Sequence, residues 1–266
     1  MKITITENPF PSEKVCDRFF QWGEWPVSWL APPVDTVPSV TIYRLDFNLG
    51  AATEVVLHVS ADEHYELFLD HELIGRGSDS GDLSCWYFDS WRIELSSGKH
   101  TLWARVPCWG SHGQDSPQGR ISLRPAFVLG GDPPLTAKLG TGIARWECRN
   151  SPLKIIDMLA VPHCRMTDCR PETPGGNWLE PRVLYPVRYA ATANEYGLMH
   201  LLAPSTLPEM YRNTVRPEVF QTSDGDKRQW NGLLKRHEVI VAPYGEYRVV
   251  YLFENYCCAY TCLELS

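Results

Sequence analysis

The sequence predicts an all-β protein built on an antiparallel sandwich, and three observations carry that prediction. Ten Trp, 12 Tyr and 9 Phe stand beside 21 Pro and 19 Gly, a composition of aromatic-rich strands joined by turns. Short runs alternate apolar with polar residues at period two from Ser39 onward, the pattern of half-buried strands. No long run with helical spacing separates them, so consecutive strands are expected to pair as hairpins and stack in two sheets. A length of 266 residues allows two modest domains or one large one, at roughly 150 residues per domain.

The elements follow in order. Val40 to Phe47 alternates, and Val55, Leu57 and Val59 repeat at period two with Glu54, His58 and Ser60 opposite, so each strand is expected to bury one face. His64 to Asp70 turns Tyr65, Leu67 and Leu69 inward and leaves Glu66, Phe68 and Asp70 outward. Asp70-His71 then makes a short turn into Leu73-Ile74-Gly75, without the glycine that a tight hairpin usually takes. Gly75 to Asp82 reads as a polar, glycine-rich loop. Cys85 to Leu95 resumes as a strand around Trp86-Tyr87-Phe88, and Gly98-Lys99 turns into His100 to Val106. A second loop, Gly110 to Gly119, precedes strand runs at Ile121 to Leu123 and Phe127 to Leu129. Gly130 to Pro134 and Pro171 to Gly176 are loop signals, while Leu153 to Val161 has the length of a two-turn helix. Strand patterning returns at Lys235 to Val241, Glu246 to Phe253 and Tyr260 to Ser266, the last expected to need a neighbour.

A net charge of −7 with no basic block argues against a nucleic-acid partner, whose phosphates need the opposite sign. No run approaches the roughly 18 apolar residues of a membrane span, so no membrane partner is expected. Nine cysteines, an odd number, together with a start that lacks the apolar core of a secretory signal, point to thiols in a reducing cytosol. Cys16, Cys85, Cys108 and Cys148 are expected to be small buried hydrophobes.

Few motifs carry chemistry. Asp62, Glu63, Glu66, Asp79, Asp82 and Asp89 are the acids a glycosidase pair would draw on, but their pattern is that of solvated strand faces and turn caps. His163-Cys164 with Cys169, and Cys257-Cys258 with Cys262, lack the paired spacing of a zinc site, so no metal is expected. Gly110-Ser111-His112-Gly113 departs from the nucleophile elbow of serine hydrolases. Gly75-x-Gly77 lacks the third glycine of a dinucleotide fingerprint and reads as a turn, so no cofactor is expected. Aromatics remain. On a strand Trp86 and Phe88 share one face while Tyr87, Asp89 and Trp91 share the other, so one face can be core and the other a platform. A ring beside a carboxylate holds a sugar through its C–H patch and its hydroxyls. The carbohydrate-binding candidates are therefore Asp79, Asp82, Trp86, Tyr87 and Asp89, with Trp109, on a loop-rich edge; the competing reading assigns the rings to packing.

Ala61-Asp62-Glu63-His64-Tyr65-Glu66-Leu67-Phe68-Leu69, Gly75-Arg76-Gly77, Trp86-Tyr87-Phe88-Asp89, Trp103-Ala104-Arg105-Val106 and Trp109-Gly110 together resemble the N-terminal β-sandwich of bacterial α-L-rhamnosidases and related glycoside hydrolases. Trp29 ahead of Tyr43 fits its opening. Leu201 to Met210 is similar to the segment leaving that sandwich, and Val239 to Ser266 to the start of the next β domain. The resemblance implies a jelly-roll-like (galactose-binding-like) sandwich over 1–195 and an incomplete second β domain over 196–266. It implies a non-catalytic accessory region that braces a C-terminal catalytic domain and contacts a rhamnose-containing or other glycan. The family's catalytic carboxylates lie in a helical toroid downstream, so none is carried over and this chain alone is expected to be inactive. A free-standing carbohydrate-binding module and a small complete enzyme are the alternatives.

Overall fold

The computed structural model describes residues 1–10, 14–16, 21–79, 81–82, 85–110, 121–151, 154–157, 165–168, 176–190, 200–209, 217–235 and 237–254. They divide into two units, Met1–Glu209 and Met210–Ser266. The first contains β1 (Lys2–Ile3), β2 (Lys14–Cys16), β3 (Gln21–Ala31), β4 (Ser39–Leu49), β5 (Thr53–Ala61), β6 (Tyr65–Leu69), β7 (Glu72–Gly77), β8 (Trp86–Leu95), β9 (Gly98–Cys108) and β10 (Phe127–Gly131). After the short helix α1 (Thr136–Leu139) come β11 (Glu147–Asn150), β12 (Lys154–Asp157), β13 (Arg165–Asp168), β14 (Arg182–Ala190) and β15 (Leu201–Pro204). The all-β expectation holds. The first unit extends past residue 195 because β15 is hydrogen-bonded between β14 and β8.

One sheet has the order β11-β4-β9-β6-β7. The other closes on itself: β5 pairs β8, β8 pairs β15, then β14, β3 and β10 follow in turn and β10 returns to β5. This barrel-like closure departs from a fully antiparallel sandwich, because β15 runs parallel to both of its neighbours.

Closure changes which residues are inside. Val55, Leu57, Val59 and Ala61 of β5, Trp91 and Leu95 of β8, and Phe127 and Leu129 of β10 pack against the five-stranded sheet, meeting Tyr43, Leu45, Tyr65, Leu67, Leu102 and Ala104. The opposite faces of the same strands line the barrel, where Trp86, Phe88 and Val128 meet Trp25, Val27 and Trp29 of β3. His58 and Ser60, expected on a solvated face, are therefore buried. Their polar atoms are satisfied inside: His58 contacts Ser90 Oγ at 2.9 Å and Asp132 Oδ1 at 3.0 Å, and Ser60 Oγ donates to the Tyr87 carbonyl at 2.7 Å. β9 keeps the alternation expected of one buried face, but in β4 it holds only from Arg44 onward: residues 39–43 are buried on both faces, Val40 and Ile42 packing with Trp103 and Trp178 away from the main core.

The glycines of Gly75-x-Gly77 belong to β7, not to a turn. A Cβ on Gly75 would fall within the Trp91 ring, and one on Gly77 would fall on Asp89 Oδ2 and the Tyr65 ring. Glycine is needed here because a large ring and a carboxylate of β8 press against the β7 backbone. The Asp70-His71 turn forms as expected, with Asp70 in the left-handed region at φ 54°, a conformation Asp tolerates better than most residues. Its carboxylate accepts from the Thr101 amide at 2.9 Å and lies 3.0 Å from His100 Nδ1.

Two expectations fail here, and one strand is unexpected. Lys154–Asp157 is a strand paired with Arg165–Asp168, not part of a helix; Leu153 and residues 158–161 lie outside the described residues. Ile121 to Leu123 is not a strand. β3 carries no strand expectation because Pro26 interrupts it. The residue falls between the β2 contact at 21–23 and the β10 contact at Leu30, where its missing N–H costs no ladder bond on that edge.

The second unit holds β16 (Glu218–Thr222), α2 (Lys227–Leu233) and β17 (Val249–Leu252). β16 and β17 pair antiparallel, and α2 is capped by the Asp226 side chain on the Gln229 amide. Residues 237–241 are not in a strand, contrary to expectation. The strand expected at Tyr260 to Ser266 lies outside the described residues. Cys85, Cys108 and Cys148 are free thiols, the last two buried; burial pushes the Cys148 thiol up to about 11. The Cys16 side chain and the two Cys-rich half-sites lie outside the described residues. No helix among the described residues is long and apolar enough to cross a membrane.

Two predictions follow from packing and charge. Gly75→Ala is expected to cost about 1–3 kcal/mol through overpacking against Trp91. Gly50→Ala, with nothing within 4 Å of its Cβ, should be neutral or stabilise by up to about 1 kcal/mol; urea denaturation of both compares them. His100 is raised above its ordinary value by its hydrogen bond to Asp70 and by the Ser96 carbonyl. For Asp70, burial works upward, but the Thr101 amide and His100 outweigh it and hold the carboxyl below its ordinary value. The His100 contribution is complete below about pH 6.5 and lost as pH rises through its folded value, whereas the Asp70 contribution is lost as pH falls below about 4. The turn is therefore expected to be firmest between those limits. Imidazole resonances of His100 should titrate above 6.5, and Asp70→Asn should bring the midpoint down.

Candidate functional site

The end of β5 gathers the loops of one edge. Three consecutive residues, Ala61, Asp62 and Glu63, leave the strand where the barrel closes, and all are buried. The Ala61 carbonyl accepts the Trp86 indole N–H at 3.0 Å and the Ser78 hydroxyl at 3.4 Å. Asp62 Oδ1 accepts the amides of Leu123 at 2.9 Å and Arg124 at 3.3 Å, and His200 Nε2 at 2.7 Å; Oδ2 accepts the Ser122 hydroxyl at 2.5 Å. Glu63 Oε1 accepts the Trp109 and Gly110 amides, each at 2.7 Å, and the Cys108 thiol at 3.4 Å. A carboxylate taken out of water is tolerable when donors replace the lost hydration, and these two are surrounded by them. The acids read in sequence as solvated strand faces thus include three that are buried, Asp62, Glu63 and Asp89.

From Asp62 a chain of hydrogen bonds runs outward. His200, itself fully buried at a left-handed φ of 55°, bonds the Tyr185 hydroxyl through Nδ1 at 2.6 Å. In a neutral imidazole that gives its Nε2–H to the Asp62 carboxylate, Nδ1 is the acceptor and the Tyr185 hydroxyl donates to it. Tyr185 stays a phenol, its hydroxyl pushed up to about 12 by burial. The imidazole is held face-on by Trp29 at 4.4 Å and edge-on by Trp86 at 4.5 Å.

A second buried cluster surrounds Asp89. Lys2 Nζ, from the N-terminal strand, is 2.6 Å from Oδ1, and the Tyr65 hydroxyl donates to Oδ2 at 2.7 Å while receiving the Trp91 indole N–H at 2.8 Å. Burial raises the Asp89 carboxyl above its ordinary value; Lys2 and Tyr65 oppose that rise. Lys2 also donates to Ser205 Oγ at 3.2 Å, and Ser205 bonds Asp79.

The six carbohydrate-binding candidates therefore separate. Trp86 and Asp89 are in the interior, 4% and 1% exposed, because closure of the barrel and the overlying β7 bury both faces of β8. Asp79 and Tyr87 are half-buried and Asp82 is exposed; Tyr87 is the second residue of β8. Tyr87 is raised by its hydrogen bond to the Cys85 thiol. Trp109 is half-buried, and its amide joins the same edge through Glu63. The sequence reading missed Tyr185 and His200; they lie in segments without strand alternation, and only the fold brings them to Asp62.

Asp62, Glu63 and Cys108 offer two oxygens and a sulfur within 4.8 Å of one another, the spacing of a cation site. Burial pushes the Cys108 thiol well up and keeps it protonated here, so a cation would have to displace its proton to gain the sulfur as a ligand. One oxygen of each carboxylate, Asp62 Oδ1 and Glu63 Oε1, already accepts backbone amides.

No family model and no curated protein matches the sequence. Solved structures do. A GH78 family rhamnosidase of Bacillus sp. GL1 superposes with a TM-score of 0.54 at 16% identity, over 75% of this chain and 22% of the enzyme. An α-L-rhamnosidase from Dictyoglumus thermophilum gives 0.42 at 10% identity, over 61% of this chain and 21% of that one. A lectin from Pleurotus ostreatus gives 0.35 at 13% identity, over 62% and 43%. At this identity the likeness to the Bacillus enzyme is one of fold, and this chain spans about a fifth of that enzyme's length.

Asp62→Ala is expected to lower the unfolding free energy by about 3–5 kcal/mol, since it leaves His200 and several donors without their buried acceptor. Tyr185→Phe removes one bond at the outer end and should cost only about 1 kcal/mol. Urea denaturation of the two variants measures the gradient along the chain of bonds.

Proposed function

We propose that this chain is a non-catalytic accessory region of an α-L-rhamnosidase-like glycoside hydrolase, of the jelly-roll-like type, bracing a catalytic domain and contacting glycan. The observation that carries the reading is the fold shared with a limited part of the Bacillus rhamnosidase, 22% of that enzyme, over 75% of this chain. The buried acids support it from the chemical side. A sugar-cleaving pair needs two carboxyl groups facing substrate roughly 5–10 Å apart, whereas Asp62, Glu63 and Asp89 are turned inward and engaged by amides, His200, Lys2 and Tyr65.

Glycan contact is assigned to the edge carrying Asp79, Asp82 and Tyr87, with Trp109 beside it. Trp86 and Asp89 act there as internal supports. Loops on a rigid sheet are where binding residues concentrate, and the half-buried Tyr87 ring with the exposed Asp82 and half-buried Asp79 supply the chemistry. The same exposed edge favours the second reading, a free-standing carbohydrate-binding module. Free thiols at Cys85, Cys108 and Cys148 suit the reducing cytosol proposed as its location.

Titration with rhamnose-containing and other oligosaccharides tests the reading. Tyr87→Ala and Asp82→Asn should each abolish binding while leaving cooperative unfolding unchanged. Binding by the chain alone with a marked preference among sugars favours the free-standing module, and unchanged affinity in both variants removes the edge from consideration. Aryl α-L-rhamnoside should not be hydrolysed above the buffer rate. Turnover that survives repurification and is lost on changing one carboxylate would establish a small complete enzyme instead.

A further inference from the structure

The outer face of the five-stranded sheet carries a row of apolar side chains outside the main core. Leu67, Leu102 and Ala104 turn inward, so their neighbours Phe68, Trp103 and Arg105 stand on the opposite face. Phe68 of β6 is paired with Trp103 of β9 on one side and with Leu73 of β7 on the other. Register thus sets Trp103, Phe68 and Leu73 side by side across three strands, each roughly 4.7–4.9 Å from the next. Trp103 and Phe68 are half-buried and Leu73 is 37% exposed. Trp103 is steadied from its far side by Arg44, 5.7 Å from its ring centroid and 4.1 Å from that of Trp178, which is itself paired with Glu147.

A polar row runs beside the apolar one. Arg105, Glu66 and Arg76 are in register on the same three strands, and Glu66 pairs with both arginines. These pairs hold one another in place, and a guanidinium has five N–H groups, more than one carboxylate takes. A flat apolar row flanked by fixed donors whose charges are paired suits a neutral ligand with C–H faces and hydroxyls, which describes a saccharide. The strand spacing is close to the length of one pyranose unit, so a row over three strands spans successive units of a chain. The polar row also ends beside the edge assigned above to glycan, because Arg76 is three residues from Asp79, a reach of at most roughly 11 Å. We propose that Trp103, Phe68 and Leu73, flanked by Arg105, Glu66 and Arg76, form a platform for a neutral polysaccharide chain. The platform rests on the glycan-binding reading above and extends it from the edge onto the sheet: short saccharides are held at the edge, and a polymer gains by engaging both.

Affinity electrophoresis in gels containing a neutral rhamnan or galactomannan, beside calorimetric titration of tetrasaccharides from each, tests this on the full chain. At least one polymer is expected to bind about tenfold or more tightly than its tetrasaccharide at equal mass concentration. Trp103→Ala and Leu73→Asp should each weaken that polymer by about tenfold, the effect of one lost ring or apolar contact, and Trp103→Tyr should retain most of the affinity. Tetrasaccharide affinity should not change in these variants. Leu73 is at the exposed end of the row, so its variant reports on the platform even where Trp103→Ala lowers the melting temperature. Polymer affinity equal to the parent's in both variants overturns the proposal, as does a polymer bound no more tightly than its tetrasaccharide; either leaves the glycan reading in place where Tyr87→Ala still abolishes tetrasaccharide binding. Failure of the parent to bind any saccharide removes the glycan reading together with the platform. A parent that sediments as a dimer and becomes a monomer in Leu73→Asp assigns the face to a second copy and overturns the proposal too.

Discussion

The buried carboxylate of Asp62 is the constraint on which the closed end of the first unit depends. An acid enclosed by the barrel has to be met by donors, and the donors come from places distant in sequence: Ser122, Leu123 and Arg124 on one side and His200 on the other. Meeting that requirement draws the segment before β10 and the segment before β15 to the same point. β15 is only four residues long and closes the ring between β14 and β8. A strand so short cannot fix its own position through ladder bonds, and His200 immediately before it supplies the anchor. Ser205 immediately after it does the same, its amide bonding the Phe88 carbonyl.

Closure has a second consequence, two-sided burial. β5, β8 and β10 stand between two cores, one formed with the five-stranded sheet and one inside the barrel. Polar residues on such strands must be paired internally, which is what Ser90 and Asp132 do for His58 and what Lys2 and Tyr65 do for Asp89. The large rings on the same strands need space as well. β7 supplies it with glycines where Trp91 and Asp89 approach its backbone.

The acids and bases of the edge are thus mostly committed to one another. Asp62, Glu63 and Asp89 hold structure, Tyr185 remains protonated, and the thiol of Cys108 stays neutral. At the start of β8, Asp82 is exposed and Tyr87 half-buried, outside the two packed cores.

The sequence by itself determined the strands whose patterning is local. Alternation along β4, β5, β6 and β9 marked their existence, and along β5, β6 and β9 also the faces they turn to the sandwich core, because period-two burial depends only on the strand and one opposing sheet. The Asp70-His71 turn was legible for the same reason. Tertiary structure decided what alternation cannot carry. His58, Ser60, Trp86 and Asp89 are inside because a second surface closes over them, and that surface is built from β3, β14 and β15, of which β3 and β14 are interrupted by proline and β15 is brief. Gly75 and Gly77 looked like loop residues because the ring and carboxylate that exclude a side chain are on another strand. His200 and the Arg124 amide meet at Asp62 only through chain closure, since residues more than 60 positions apart leave no local trace of the carboxylate they share.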